Sequence, residues 1–191
     1  TLDHGHIDLF YMTLDAQGHP VLKVMEDVTG SGVQHEAEEL RLVVPSSALK
    51  HSLPQDIVAG GSGYFLPQTQ DPTLPWPGWD VLSLATEGFE RVEFDVSYTN
   101  SNGGRISLWT EDFVAGRSSR LRTGGYELDP NGSTIVQDYL SHTHANWAFS
   151  QAGSYELSVQ ARAYRNDGSF ETTRSAHYLI EVGGAQGVAP K

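Results

Sequence analysis

Apolar and polar residues alternate along short stretches of this chain, and clusters of Gly, Asn, Asp and Pro separate the stretches. A period of two places successive side chains on opposite faces of a β-strand, whereas windows with the apolar spacing of a helix are scarce. The clearest run has five apolar residues on one face: Tyr155, Leu157, Val159, Ala161 and Ala163. This run and the segment 172–182 predict a hairpin across the turn at 165–168.

Similar patterns predict strands throughout the sequence. Segments 7–14 and 20–26 flank an Asp-Ala-Gln-Gly turn and predict a second hairpin. Other predicted strands lie at 40–44, 91–98, 105–110, 133–139 and 147–149. About ten short strands with turn signals between them are typical of an all-β protein, here an antiparallel β-sandwich of immunoglobulin-like or jelly-roll type.

Two segments lack this alternation. Residues 60–78 are rich in Gly, Pro, Gln and aromatic residues and too apolar for a solvated linker, so they predict a long ordered Pro/Trp-rich loop. Residues 184–191 are Gly-rich, have no pattern and predict a linker or tail. The sequence therefore predicts one β-sandwich domain over residues 1–183.

The chain is strongly acidic and contains no cysteine. Its 191 residues include 24 Asp and Glu against 12 Lys and Arg, a formal net charge of −12 with histidine neutral. Because the basic residues are scattered singly, we expect no nucleic-acid partner. No long uninterrupted apolar stretch occurs, so we expect no direct membrane insertion by this domain. The lack of cysteine excludes thiolate zinc ligands and thiol catalysis.

Two His-x-His motifs carry the most specific chemistry, His4 with His6 and His142 with His144. Residues i and i+2 of a strand point to the same face, so each motif can aim two imidazoles at one point. By the same rule, Asp8 shares a face with His6. If the two segments meet, His6, His142 and His144 with either His4 or Asp8 form a nitrogen-rich site suited to zinc, with manganese and copper as alternatives.

The other histidines and carboxylates have simpler interpretations. His19, His35 and His51 lie in turns or loops, where a surface histidine is expected, and His177 in a predicted strand is ambiguous. The acidic runs 36–39 and 111–112 match no calcium-loop spacing and predict solvated faces. Motifs of common hydrolases, such as Gly-x-Ser-x-Gly and His-Glu-x-x-His, do not occur in the sequence.

Two other functions stay open. Tyr64, Trp76 and Trp79 can form an aromatic platform for a glycan or peptide, which would make the domain an adhesion module. A metal-dependent hydrolase would need an open coordination position and a nearby Asp or Glu base, and the spacing of the residues identifies no such base.

Five segments of the chain carry a resemblance to a known protein family. They are Gly-His-Ile-Asp at 5–8, Leu-Pro-Gln at 66–68, Trp-Pro-Gly-Trp at 76–79, His-Thr-His-Ala-Asn-Trp-Ala-Phe at 142–149 and Gly-Ser-Tyr at 153–155. Together they resemble the actinobacterial surface-anchored repeat domain, also called the choice-of-anchor M domain, over nearly the whole chain. The histidine-containing segment is the specific part of the resemblance.

The resemblance implies an extracellular, surface-anchored protein of Gram-positive type. It further implies that the domain captures a metal ion and hands it to the substrate-binding protein of a metal ABC transporter, without enzymatic activity. The polar positions that match are His6, Asp8, Gln68, His142, His144 and Asn146, whereas His4 matches no fixed position. We expect support for the ligands from Asn146, Trp147, Gln68, Trp76 and Trp79.

Overall fold

β-Strands dominate the computed structural model, which describes residues 1–183. Strands account for 52% and helices for 7% of the structure. The strands are β1 (Gly5–Leu14), β2 (Pro20–Glu26), β3 (Val33–His35), β4 (Arg41–Val44), β5 (Leu49–Lys50), β6 (Gly63–Leu66), β7 (Pro75–Asp80), β8 (Phe89–Asn100), β9 (Ile106–Asp112), β10 (Gly116–Ser118), β11 (Ser133–Gln137), β12 (His142–His144), β13 (Asn146–Phe149), β14 (Gly153–Arg165), β15 (Phe170–Thr172) and β16 (Ala176–Val182). Short 3-10 helices occupy Ala37–Glu39, Ser46–Ala48 and Leu82–Glu87. Within the described residues, no helix is long and apolar enough to cross a membrane.

The described strands form three sheets. Their orders are β12-β7-β1-β2-β3, β10-β9-β13-β6-β5 and β11-β8-β14-β16-β4, with β15 added beside β14. The all-β sandwich predicted from the alternation is confirmed. Most neighbours are antiparallel, but β1 pairs with β7 and β4 pairs with β16 in parallel. These two pairs depart from the antiparallel prediction because their strands are joined by long excursions of the chain and not by tight turns.

Both predicted hairpins form. β1 and β2 pair antiparallel from Leu14 opposite Pro20 to Ile7 opposite Glu26. The long strand β14 pairs with β16 along its first half and with the short β15 near its end, so the predicted segment 172–182 divides between two strands. The predicted tail at 184–191 lies outside the described residues.

Part of the stretch 60–78, predicted as one long loop, is instead β6 and the first four residues of β7. The prolines of β7 tolerate this because they stand at positions whose backbone faces away from β1. The Leu74 backbone faces β1, since its carbonyl accepts a hydrogen bond from the Gly5 N–H. Pro75 and Pro77 are an odd number of residues from Leu74, so their backbone faces the other side, where the Pro77 carbonyl accepts a hydrogen bond from Trp147 Nε1. On that second side β12 pairs with β7 only from Gly78 onward. Proline therefore removes no donor that the ladder needs.

One contiguous apolar core joins the three sheets. Phe10 of β1 lies at its centre, with ring centroids 5.4 Å from Phe94, 6.1 Å from Trp147 and 5.2 Å from Tyr178. These partners belong to β8, β13 and β16, so a single side chain of β1 contacts both other sheets. The packing fixes the strand that also carries His6 and Asp8, and it thereby fixes half of the site described next.

Candidate metal centre

Three neighbouring strands of the first sheet build a cluster of histidine and aspartate side chains. His6 and Asp8 lie on β1, His142 and His144 lie on β12, and β7 runs between these strands. Adjacent strands are about 4.8 Å apart, so side chains from β1 and β12 have to bridge roughly 10 Å of sheet. The alternation rule that placed His6 with Asp8, and His142 with His144, on common faces is confirmed by the convergence of all four.

Gly78 of β7 makes this convergence possible. It lies opposite Asp8 on one side and opposite His144 on the other. A Cβ at this position would collide with the Thr143 carbonyl oxygen and lie 2.7 Å from Nδ1 of His144. Since any side chain here would occupy the space of a ligand ring, glycine keeps the middle strand clear of the cluster.

The converging atoms have the spacing of a tetrahedral coordination shell. His142 Nε2 lies 3.1 Å from His6 Nε2, 3.1 Å from His144 Nε2 and 2.6 Å from Asp8 Oδ1. Asp8 Oδ1 lies 3.3 Å from His6 Nε2 and 3.9 Å from His144 Nε2. Zinc–ligand bonds of ~2.0–2.1 Å in a tetrahedron place ligand atoms about 3.3 Å apart. The four side chains can therefore hold a metal ion with little movement.

Hydrogen bonding cannot satisfy these contacts. A ring nitrogen of neutral histidine offers either one N–H or one lone pair, so His142 Nε2 can make one good hydrogen bond, whereas it has three close polar neighbours. A cation at the centre accepts the lone pairs of all three Nε2 atoms and of the carboxylate at once. The cluster thus has more close polar contacts than hydrogen bonds can use, and its arrangement could hold a metal ion.

The carboxylate of Asp8 supports the same conclusion. Its side chain is 1% exposed, and its Oδ2 atom has no hydrogen-bond partner in the described structure. A buried carboxylate without full hydrogen bonding costs free energy unless a positive charge compensates it. Asp27 contributes a second negative charge beside His6. Two carboxylates and three neutral imidazoles together balance the charge of one divalent cation.

The cluster shifts the pKa values of two histidines in opposite directions. Hydrogen bonding to Asp8, opposed by partial burial and assisted by the negative charges of Asp8 and Asp27, raises the pKa of His6 to about 9. Burial, together with the neighbouring His142 and His6, lowers the pKa of His144 to about 4. At neutral pH the site without metal holds a proton on His6, and a metal ion has to displace it.

Outer contacts orient two of the imidazoles. His6 Nδ1 lies 2.7 Å from Asp27 Oδ2, which leaves Nε2 facing the centre. The Trp76 indole stacks on the His144 ring with centroids 3.7 Å apart and planes 12° apart. A carboxylate behind a ligand histidine and a packed wall beside another are the usual supports of protein metal sites.

The predicted supporting residues form a connected layer. Trp76 Nε1 donates to the Gln68 carbonyl at 2.7 Å, and the Gln68 N–H donates to Asn146 Oδ1 at 2.7 Å. The Gln68 side chain pairs with both backbone groups of Glu111. Buried Trp147 donates to the Pro77 carbonyl, next to Gly78. Trp76, Gln68, Asn146 and Trp147 therefore hold β7 and its indole against the site.

Trp79 supports the site only indirectly. Its side chain lies in the core, on the opposite face of β7 from Trp76, and Nε1 donates to Gln137 Oε1 at 2.9 Å. The same oxygen accepts a hydrogen bond from Thr143, the residue between the two histidines of β12. Trp79 and Thr143 thus share one buried acceptor, which ties β12 to the interior.

The remaining histidines lie away from the cluster. His4, a candidate fourth ligand, is exposed and pairs with Asp3, so Asp8 takes the fourth position. His19 pairs with Glu171 and His51 with Ser62, both at the surface as expected. His177 is exposed on β16. His35 departs from the simple surface expectation, because it contacts the buried Glu26.

An exposed aromatic platform does not form as the adhesion alternative requires. Trp79 is 0% exposed and Trp76 is stacked on His144. Tyr64 packs against the core, and a Cβ at Gly183 would come within 2.6 Å of its ring. Trp79 therefore belongs to no exposed platform, whereas Trp76 and Tyr64 are half-buried.

Sequence reasoning missed two residues of the site, Asp27 and Gly78. Asp27 follows β2 directly, and its N–H donates to the His6 carbonyl. The register at the predicted turn would place Asp27 opposite Ile7, and an irregularity of β1 between Asp8 and Tyr11 shifts Asp27 to a position beside His6, so the hairpin pattern alone did not identify it. Gly78 became meaningful only with β7 in place between β1 and β12, which no local pattern indicates.

Comparisons of the chain with protein-family models, with curated proteins and with solved structures found no match. The immunoglobulin-like or jelly-roll subtype and the resemblance to the surface-anchored repeat domain therefore stay predictions. The metal-binding capacity of the cluster rests on the geometry of the chain itself.

Proposed function

We propose that this protein binds a transition-metal ion, zinc first, through His6, Asp8, His142 and His144. The observation that carries the proposal is the convergence of three Nε2 atoms and one carboxylate oxygen, all within 4.8 Å of one another, although β1 and β12 are not adjacent. An ion bound by all four atoms has a closed tetrahedral shell, which is typical of structural or carrier sites and leaves no position for a catalytic water. A metal-dependent hydrolase would also need a carboxylate base, and Asp27, the carboxylate next to the site, is already hydrogen-bonded to His6.

The donor set supports zinc over the alternatives. Three imidazole nitrogens and one oxygen at tetrahedral spacing match the four-coordinate tetrahedral shell that zinc adopts in structural protein sites. Manganese favours octahedral oxygen-rich sites, and Cu(II) favours tetragonal ones. Copper binds most nitrogen sites tightly, so its exclusion here would depend on the geometry that the strands impose.

We extend the proposal to the place and role that the resemblance implies. The protein acts outside the cell, anchored to a Gram-positive surface, where it captures the ion and passes it to the substrate-binding protein of a metal ABC transporter. The His-Thr-His-Ala-Asn-Trp-Ala-Phe segment at 142–149 supports this extension. Co-purification of the tag-free protein with such a binding protein, dependent on zinc, is the measurement that tests it.

The central experiment measures thermal stability of tag-free protein with and without zinc. Zinc at ~100 times its dissociation constant should stabilise the fold by about 2.7 kcal/mol, since the folded state binds it far better than the unfolded chain. For a domain of this size that is a rise of roughly 5–11 °C in melting temperature. The double variant His142→Ala/His144→Ala should stay folded and lose the rise.

The matched control is His51→Ala/His177→Ala, which removes the same number of imidazoles from exposed positions outside the cluster. It should keep the full zinc-dependent rise. Equal responses of the two double variants, or a wild-type protein indifferent to zinc, manganese and copper, would refute the proposed function.

A further inference from the structure

The four candidate ligands differ in how firmly the fold holds them. Asp8 is 1% exposed, His144 9%, His6 20% and His142 37%. Asp8 lies in the middle of a sheet, His144 is covered by Trp76, and His6 is held from behind by Asp27. His142 is the exception: within residues 1–183 the close polar and ring–ring neighbours of its imidazole all belong to the cluster.

The strand that carries His142 is also the least supported of the three strands at the site, β1, β7 and β12. β12 has three residues, lies at the edge of its sheet and pairs only with β7. Its anchor to the interior is Thr143, which points inward and donates to Gln137. His142 precedes this anchor and faces the opposite way, so its ring can swing outward while Thr143 and His144 keep their places.

We propose that His142 is the exchange ligand of the centre, through which the ion enters and leaves; this rests on the proposed metal-binding function. As His142 Nε2 dissociates, one metal–nitrogen bond breaks and one bond to an incoming donor forms, with no change of oxidation state. His6, Asp8 and His144 hold the ion meanwhile, which is the three-ligand arrangement that leaves one position open to an outside molecule.

The incoming donor that fits is a neutral imidazole, as on a histidine of an acceptor protein. The charges of Asp8 and Asp27 already balance a divalent ion, so replacing one imidazole by another keeps the site neutral. A carboxylate or thiolate would add a negative charge to a chain whose net charge is −12. The accessible side of the centre is the side that His142 occupies, which is where such a donor arrives.

The test compares single variants of two candidate ligands on the same face of β12, His142→Ala and His144→Ala. His142→Ala should retain zinc at least about tenfold more tightly than His144→Ala, a difference of ~1.4 kcal/mol. Free imidazole should restore zinc affinity to His142→Ala by filling the open position and should have no effect on His144→Ala, whose cavity lies beneath Trp76. Melting curves without zinc check that both variants fold, and His6→Ala replaces His144→Ala should the latter not fold.

A cobalt-loaded sample gives a readout of coordination itself. In the His142→Ala variant, the visible absorption of bound Co²⁺ should change when imidazole is added. In wild-type protein, Co²⁺ should pass to an imidazole-bearing chelator, and the transfer rate should rise with the chelator concentration. Equal zinc affinities of the two variants, rescue of both or of neither, or a transfer rate independent of chelator would overturn the assignment of His142 while leaving zinc binding intact. A wild-type protein without zinc binding would overturn the proposed function and this assignment together.

Discussion

Two buried carboxylates on adjacent strands of one sheet, Asp8 on β1 and Glu26 on β2, have opposite surroundings. Glu26 is 0% exposed, and it accepts hydrogen bonds from the N–H groups of Val28 and Thr29, from the Thr29 hydroxyl and from His35. Asp8 is equally buried, yet among residues 1–183 its Oδ2 has no hydrogen-bond partner, and its Oδ1 faces three crowded imidazole nitrogens.

The comparison separates a structural carboxylate from a ligand. Donors saturate Glu26, so its negative charge is stable in the folded protein without any ion. Around Asp8 the close polar partners are the three imidazole Nε2 atoms, and a divalent cation that displaces the proton of His6 can contact the carboxylate and all three rings at once. A buried acid beside histidines is therefore no metal site by itself; the balance of donors and acceptors around the acid decides which it is.

The largest expected effect comes from Asp8→Asn. The change removes the anionic ligand and with it the charge balance of the centre, so the zinc-dependent stabilisation of about 2.7 kcal/mol should vanish while the metal-free protein stays folded. Thermal unfolding with a zinc titration measures it. An unchanged zinc response would mean that Asp8 is a structural acid like Glu26, and the distinction between the two would fail.

Asp27→Asn should weaken zinc binding without abolishing it. The Asp27 carboxylate orients the His6 ring and lies outside the ligand set, and loss of such an outer partner costs about 10–100-fold in metal affinity, or ~1.4–2.8 kcal/mol. Calorimetric titration of zinc provides the number. Asp15→Asn, which alters an exposed turn acid distant from the cluster, is the control and should leave affinity unchanged.

Glu26→Gln should have the opposite pattern of effects, with lower stability and unchanged zinc affinity. An amide in place of the carboxylate loses acceptor capacity toward the donors around it, so the free energy of unfolding at neutral pH should fall by about 1–3 kcal/mol. Zinc affinity should stay at the wild-type value, because Glu26 does not face the metal centre. Chemical denaturation gives the first quantity and zinc titration the second; a variant that lost zinc affinity would show that the two carboxylates act as one unit.

The smallest effect concerns acid. Burial opposes ionisation of Glu26, but the hydrogen bonds from Thr29, His35 and the backbone outweigh it and lower its pKa from 4.5 to about 2. A depressed folded-state pKa contributes stability that is complete above about pH 4.5 and is lost as pH falls toward about 2. The difference in the free energy of unfolding between wild type and Glu26→Gln, measured by denaturation at each pH, should therefore shrink across this interval. Parallel curves would show that Glu26 keeps an ordinary pKa in the folded protein.

The sequence was sufficient for the features governed by local periodicity. Alternation gave the β class and both hairpins, and the two-residue spacing placed His6 with Asp8 and His142 with His144 on shared faces. What brought the two pairs together was the insertion of β7, whose Pro-Trp-Pro-Gly pattern has the composition of a loop. A strand of this composition is stable only where its prolines face away from a paired neighbour, which is a property of the sheet order and not of the segment.

The choice of fourth ligand shows the same limit. His4 and Asp8 both lie two residues from His6, and the sequence left them as alternatives. β1 begins at Gly5, so His4 precedes the strand and turns to Asp3, whereas Asp8 lies within the strand opposite Gly78. The first residue of β1 therefore decides between His4 and Asp8, and that boundary depends on the pairing of β1 with β7.

The two halves of the centre lie far apart in the sequence, with Asp8 and His142 separated by 134 positions. In an unfolded chain, closing a loop of that length costs about 4 kcal/mol of entropy before both halves can touch the same ion. An ion bound at this centre would therefore favour chains in which β1, β7 and β12 are already paired over chains in which β12 is missing or detached. Metal loading would then report that these three strands have come together, and a truncated chain that ends before β12 would lack His142 and His144.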